Sequence, residues 1–215
     1  MPTLSFNRFI INQITVRNPP PLHKPPRLHK DALLMSFENQ WRIRKIYTEI
    51  IGLNEIDHLS INIVDPNGEM SIISYNPSIV YKIFKDGTYL YNGTISPTYY
   101  ENLDFYTWDQ CFDKRFYNEV KNSLQIKNGI DTGIAMIHRE FNFHILFSFA
   151  SKRKNGDMLA DAIENNQQFL KMGFHCLESI KDIYSQYYEN DKFFLINEPT
   201  YIKPVCNLPN LKVIK

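Results

Sequence analysis

A cysteine attacks as its thiolate, so a cysteine hydrolase needs an imidazole beside the thiol to take its proton. Cys111 with His138 or His144 is the pairing this sequence offers. Cys111 stands among Trp108, Phe112 and Phe116, and aromatic surroundings suit an inert buried thiol better than a reactive one. His138 and His144 flank a predicted hairpin turn and are placed to face one side, yet two imidazoles do not complete a metal site. His23 and His29 belong to a repeated Leu-His-Lys in a proline-rich stretch and read as solvated. Asp104, Asp109 and Asp113 precede or begin a predicted helix, where carboxylates favour the positive end of the helix dipole more than they suggest acid–base work. No Walker A loop, G-x-S-x-G elbow or dinucleotide fingerprint occurs. The expectation is a protein without catalytic residues, metal or cofactor.

Composition narrows the remaining classes. The 15 Phe and 13 Tyr among 215 residues predict a core or a pocket lined with rings. A net charge of +1 gives no electrostatic case for nucleic acid or an anionic membrane as direct partner. No apolar run approaches the roughly 18 residues that span a bilayer. Arg8 and Phe9-Ile10-Ile11 near the N-terminus lack the apolar core and small-residue cleavage site of a signal peptide. Cys111, Cys176 and Cys206 have no metal spacing and leave one thiol unpaired, which fits a reducing, cytoplasmic setting; delivery into a host cell is the alternative.

Three regions follow from proline and periodicity. Residues 1–30 form an arm, weakly alternating over 1–18, and a stiff linker over 19–30 that carries five prolines without PxxP spacing. Residues 31–189 form the folded domain, and 190–215, with Pro199, Pro204 and Pro209, an extended tail. Within the domain, Asp31 caps a helix running to about Ile51, with Leu33, Leu34, Phe37, Trp41, Ile46, Tyr47 and Ile50 as its buried stripe. Leu59, Ile61 and Ile63 alternate with Ser60, Asn62 and Val64, a half-buried strand. Asp65-Pro66-Asn67-Gly68 turns it into a returning strand over 69–75. A short helix over 77–86 ends at Asp86-Gly87, and the aromatic stretch 88–107 reads as loops laid on one sheet face. A helix over 108–126, strands over 130–138 and 143–150, and a long helix over 157–188 interrupted by Gly173 complete the order. The predicted class is α+β, an antiparallel β-sheet sandwiched between helices.

Three segments in that order carry a likeness. Phe105-Tyr106-Thr107-Trp108, Asn128-Gly129-Ile130-Asp131-Thr132-Gly133-Ile134 and Phe143-His144-Ile145-Leu146-Phe147-Ser148-Phe149-Ala150-Ser151 resemble the central segment of the LuxR-type autoinducer-binding domain, the quorum-sensing sensor fold. GAF and PAS sensors fit the element order more loosely. The resemblance implies a sensor of small molecules with Trp108 closing one pocket wall and Gly133 allowing close backbone approach. It places Val80 at the family's tryptophan, Phe84 at its tyrosine and Ser96 at its aspartate, the three positions whose polar groups hold an acyl-homoserine lactone. Losing all three removes about 1–3 kcal/mol per unmatched group, so a standard lactone is not the expected ligand.

The predicted ligand-binding residues are Val80, Phe84, Tyr91, Ser96, Tyr106, Trp108 and Gly133. The residues after Tyr188 are too few and too broken by proline for the helix-turn-helix half of such regulators. The functional expectation is a non-enzymatic sensor or regulatory domain holding an apolar or aromatic small ligand, working as a homodimer or through a protein partner. The alternative is an interaction protein or secreted effector using the same fold.

Overall fold

The computed structural model describes residues 25–187 and 191–199. The predicted N-terminal arm, the first half of the proline-rich stretch and the end of the tail, with His23 and Cys206, lie outside the described residues. Six strands form one sheet: β1 (Arg27–Leu28), β2 (His58–Val64), β3 (Glu69–Ser74), β4 (Phe105–Thr107), β5 (Thr132–Glu140) and β6 (Phe143–Ser151). Their order is β1-β3-β2-β6-β5-β4, antiparallel throughout except that β1 runs parallel to β3. The helices are α1 (Ala32–Glu38), α2 (Gln40–Tyr47), α3 (Pro77–Lys85), α4 (Pro97–Tyr100), α5 (Trp108–Cys111), α6 (Tyr117–Leu124), α7 (Met158–Glu164) and α8 (Asn166–Ser185). The architecture is the α+β sandwich that the sequence predicts.

Alternation places the two sides of each long strand in different surroundings. Leu59, Ile61 and Ile63 of β2 share one face with Ile73, Ile134, Met136, Ile145, Phe147 and Phe149, all in one buried cluster. The helices α2, α7 and α8 cover that face through Ile43, Tyr47, Ala162, Phe169, Leu177 and Ile180. Each such side chain, fully buried, contributes about 1.5–3 kcal/mol. Helix α8 comes down onto the sheet at Gly173, where a Cβ would lie 2.6 Å from the Phe147 ring. The segment after α8 returns across the same face: Phe193 and Ile196 are fully buried, and Lys181 Nζ donates to the Ile196 carbonyl.

Three expected helices are each divided. Asn39 (φ −101°, ψ 11°) separates α1 from α2 and resets the helical phase. Leu34, Phe37 and Trp41, predicted inside, are therefore 47%, 36% and 75% exposed, while Met35, Ile43 and Tyr47 are buried. Phe112 takes extended angles (φ −69°, ψ 136°) and ends α5 after one turn. The long C-terminal helix is divided at Asn165 (φ −116°, ψ 38°), not at Gly173. Within the stretch read as loops, Phe105–Thr107 adds an edge strand to β5.

The strand expected to be half-buried is buried at all seven positions. Its polar side is covered by α3, by the short 3-10 turns Thr88–Tyr91 and Gly93–Ile95, and by α4 to α6. Asn76 and Pro77 start α3 over this face, the Asn76 Oδ1 accepting from the Ser78 amide at 3.2 Å and the proline filling the first turn. Asp86 and Gly87 (φ +71°) end it.

Candidate ligand-binding site

A cavity lies between the second face of the sheet and α3. Its floor is His58, Ser60 and Asn62 of β2 with Ser148 of β6 and Ile72 of β3. Ser60 and Ser148 are cross-strand partners, as are Asn62 and Ile72. The opposite wall is one side of α3: Ile79, Val80, Ile83 and Phe84. Tyr89, Asn92, Thr94 and Ile95 of the following turns, with Trp108 and Leu124, complete it. Water-sized molecules reach about 50 Å³ of this space, room for a few waters. A larger occupant requires the lining to move apart.

Trp108 is fixed by three local features. Thr107 and Gln110 form a capping box, the Thr107 amide donating to Gln110 Oε1 at 3.4 Å, so the tryptophan occupies the first helical position. Its indole Nε1 donates to the Ile134 carbonyl at 3.2 Å. Its ring lies against Gly133, where a Cβ would come within 2.1 Å of Cδ2. The indole is thus a wall whose single donor is already used.

Of the predicted site residues, Val80, Phe84 and Trp108 come together on the cavity wall. Gly133 stands behind Trp108. Tyr106 points its hydroxyl to the Thr94 carbonyl at 2.7 Å and so braces the turn that forms part of the lining. Ser96 caps α4, accepting from the Thr98 amide at 3.3 Å, and Tyr91 stacks on Phe116 with centroids 3.8 Å apart. Neither Ser96 nor Tyr91 is on the wall; the neighbouring Ile95, Thr94 and Asn92 are. The floor residues His58, Ser60, Asn62 and Ser148 were not among the expected site residues. The signal available was that alternating Ser60 and Asn62 would be buried if anything covered them.

The floor is polar and under-satisfied. Asn62 Oδ1 is enclosed and accepts no hydrogen bond. The side chains of His58, Ser60 and Ser148 also have no hydrogen-bond partner among the described residues, but their polar atoms open to the cavity and are not enclosed as Asn62 Oδ1 is. Burial, with the nearby Lys152 charge adding to it, lowers the His58 pKa from 6.5 to about 4, so the ring is neutral at physiological pH. By contrast Asn92 Oδ1 is occupied by the Thr94 amide and hydroxyl.

Cys111 is placed as an inert buried thiol. His138 and His144 are on opposite faces: His138 packs edge-on against Phe174 of α8, while His144 lies near Tyr100. The Cys111 thiol donates to the Thr107 carbonyl at 3.4 Å, and burial pushes its pKa up, opposite to what an attacking thiolate needs. Among the described residues no cluster of three or more His, Cys, Asp or Glu is placed to hold a metal ion, and no helix is long and apolar enough to cross a membrane.

The layered helix–sheet fold is similar to that of solved autoinducer-binding domains. Escherichia coli SdiA matches over 74% of this chain and 70% of its own, with a TM-score of 0.51 and 14% identity. SdiA in complex with octanoyl-rac-glycerol matches with the same score and identity over 66% of its length. CepR2 of Burkholderia cenocepacia, an N-acylhomoserine lactone dependent LuxR family transcription factor, aligns at a TM-score of 0.41 and 11% identity, over 73% of this chain and 93% of its own. No protein-family model matches the sequence, and no curated protein matches it.

Proposed function

We propose that this chain is a non-enzymatic sensor domain that holds a small, largely hydrocarbon or aromatic ligand between the sheet and α3. The observation that carries the reading is the cavity beside Trp108, walled by Val80 and Phe84, in a fold shared with SdiA. Val80 and Phe84 offer no hydrogen bond from α3, and the Trp108 donor is spent on Ile134. A standard acyl-homoserine lactone is therefore a poor fit, whereas a neutral amphiphile of the kind seen in SdiA is a better one. The output is dimerisation or contact with another regulator in the cytoplasm. Native mass spectrometry of the protein purified from its own host tests this: a bound small-molecule mass is the expected result, and a ligand-free monomer would remove the sensor reading.

The exposed side chains of Leu34, Phe37 and Trp41 favour a second reading, in which the fold serves to bind a host or regulatory protein. A pull-down from plausible host lysate that returns only this chain counts against it.

A further inference from the structure

Four polar side chains on the cavity floor form one row. His58, Ser60 and Asn62 are alternate residues of β2, so they share a face and span about 13 Å along the strand. Ser148 stands directly across from Ser60 on β6. Their exposures are 5%, 8%, 6% and 5%, and the described residues provide no hydrogen-bond partner for any of them. Buried polar groups in folded proteins are nearly always hydrogen-bonded, and leaving one unmade is destabilising. Of the four only Asn62 Oδ1 is both enclosed and without a partner; the polar atoms of His58, Ser60 and Ser148 open to the cavity, where an occupant can complete them.

We infer that this row is a hydrogen-bonding subsite for an uncharged ligand that carries hydroxyl or carbonyl groups along one edge and hydrocarbon on the other. The inference rests on the ligand-binding reading above and deepens it. The two serines donate and accept, and Asn62 offers an amide donor and a free acceptor; neutral His58 adds one of each. Across the cavity Ile79, Val80, Ile83 and Phe84 take the hydrocarbon side. A charged ligand would meet no charged side chain in the cavity wall, because among the described residues no Asp, Glu, Lys or Arg lines it. Recognition thus moves from the helix, where Val80 and Phe84 are apolar, to the sheet.

Titration calorimetry and thermal unfolding of the full chain test this with two probes of equal chain length, octanoyl-rac-glycerol and sodium octanoate. The glyceride is expected to bind and raise Tm, and octanoate to bind at least tenfold more weakly. Asn62→Leu is expected to raise the Tm of the ligand-free protein by roughly 2–4 °C, since it deletes an enclosed acceptor without a partner, and Ser148→Ala is the milder variant. Each is also expected to weaken the glyceride tenfold or more. Equal binding of the two probes, or unchanged glyceride affinity in both variants, overturns the polar-edge assignment and leaves the ligand reading intact. Absence of binding by either probe also overturns the assignment. If the protein from its own host is ligand-free as well, the sensor reading falls with it.

Discussion

The two faces of the central sheet are built from the same strands and follow opposite rules. One face carries Leu59, Ile61, Ile63, Phe147 and Phe149, packed against α2, α7 and α8. The other places His58, Ser60, Asn62 and Ser148 under α3 at nearly equal burial, with the Asn62 acceptor unmet. Packing explains the first face fully. The second gives up stability that an apolar replacement would supply, and such concessions mark sites retained for binding.

The contrast can be broken from either side. The largest effect is expected from Phe147→Ala on the packed face, a loss of about 3–5 kcal/mol by denaturant unfolding, because α8 at Gly173 and the ring at Phe174 both rest on that side chain. A loss under about 1 kcal/mol would mean that the first face is not the main core.

Next is the acid dependence of the second face. The unfolded chain protonates His58 near 6.5 and the folded chain near 4, so the unfolded state binds more protons between those values. Stability should fall as pH drops through that window and be unaffected by His58 above it. A gap of about 2.5 pH units is worth about 3 kcal/mol. The check is the difference between the parent and His58→Gln over pH 4–7, since other groups titrate in both; identical profiles would place His58 in water.

Asn62→Leu should stabilise the ligand-free protein by about 1 kcal/mol in urea titrations, against the usual sign for a buried substitution. Smallest of all, Trp41→Ser on the exposed side of α2 should change stability by less than about 0.5 kcal/mol. A larger loss there would reveal that the indole is covered in solution, which analytical ultracentrifugation of the parent would then explain by self-association.

The packed face was readable in the sequence, because Leu59, Ile61 and Ile63, and again Ile145, Phe147 and Phe149, alternate with smaller or polar residues. Helix breaks at Asn39 and Asn165 were not, since asparagine is only mildly unfavourable in a helix and the apolar spacing continues across both. Missing the break at Asn39 turned Leu34, Phe37 and Trp41 inward by mistake. The polar row escaped for a different reason: Ser60 and Asn62 are the residues a solvent-facing strand side would show, and alternation does not say what lies above it. Trp108, Val80 and Phe84 were expected from the resemblance to autoinducer-binding domains, and all three line the cavity. Ser96 and Tyr91 were misplaced by a residue or two, which in tight turns reverses where a side chain points.

The fit between Gly133 and the Trp108 ring carries a consequence for variation. Because a Cβ at 133 would overlap the indole, position 133 cannot enlarge while Trp108 is kept. Across relatives of this chain the two should covary: a larger residue at 133 should accompany loss of the indole at 108, which would open the cavity at that end. Natural diversity in ligand size would then be written in two coupled letters of the sequence.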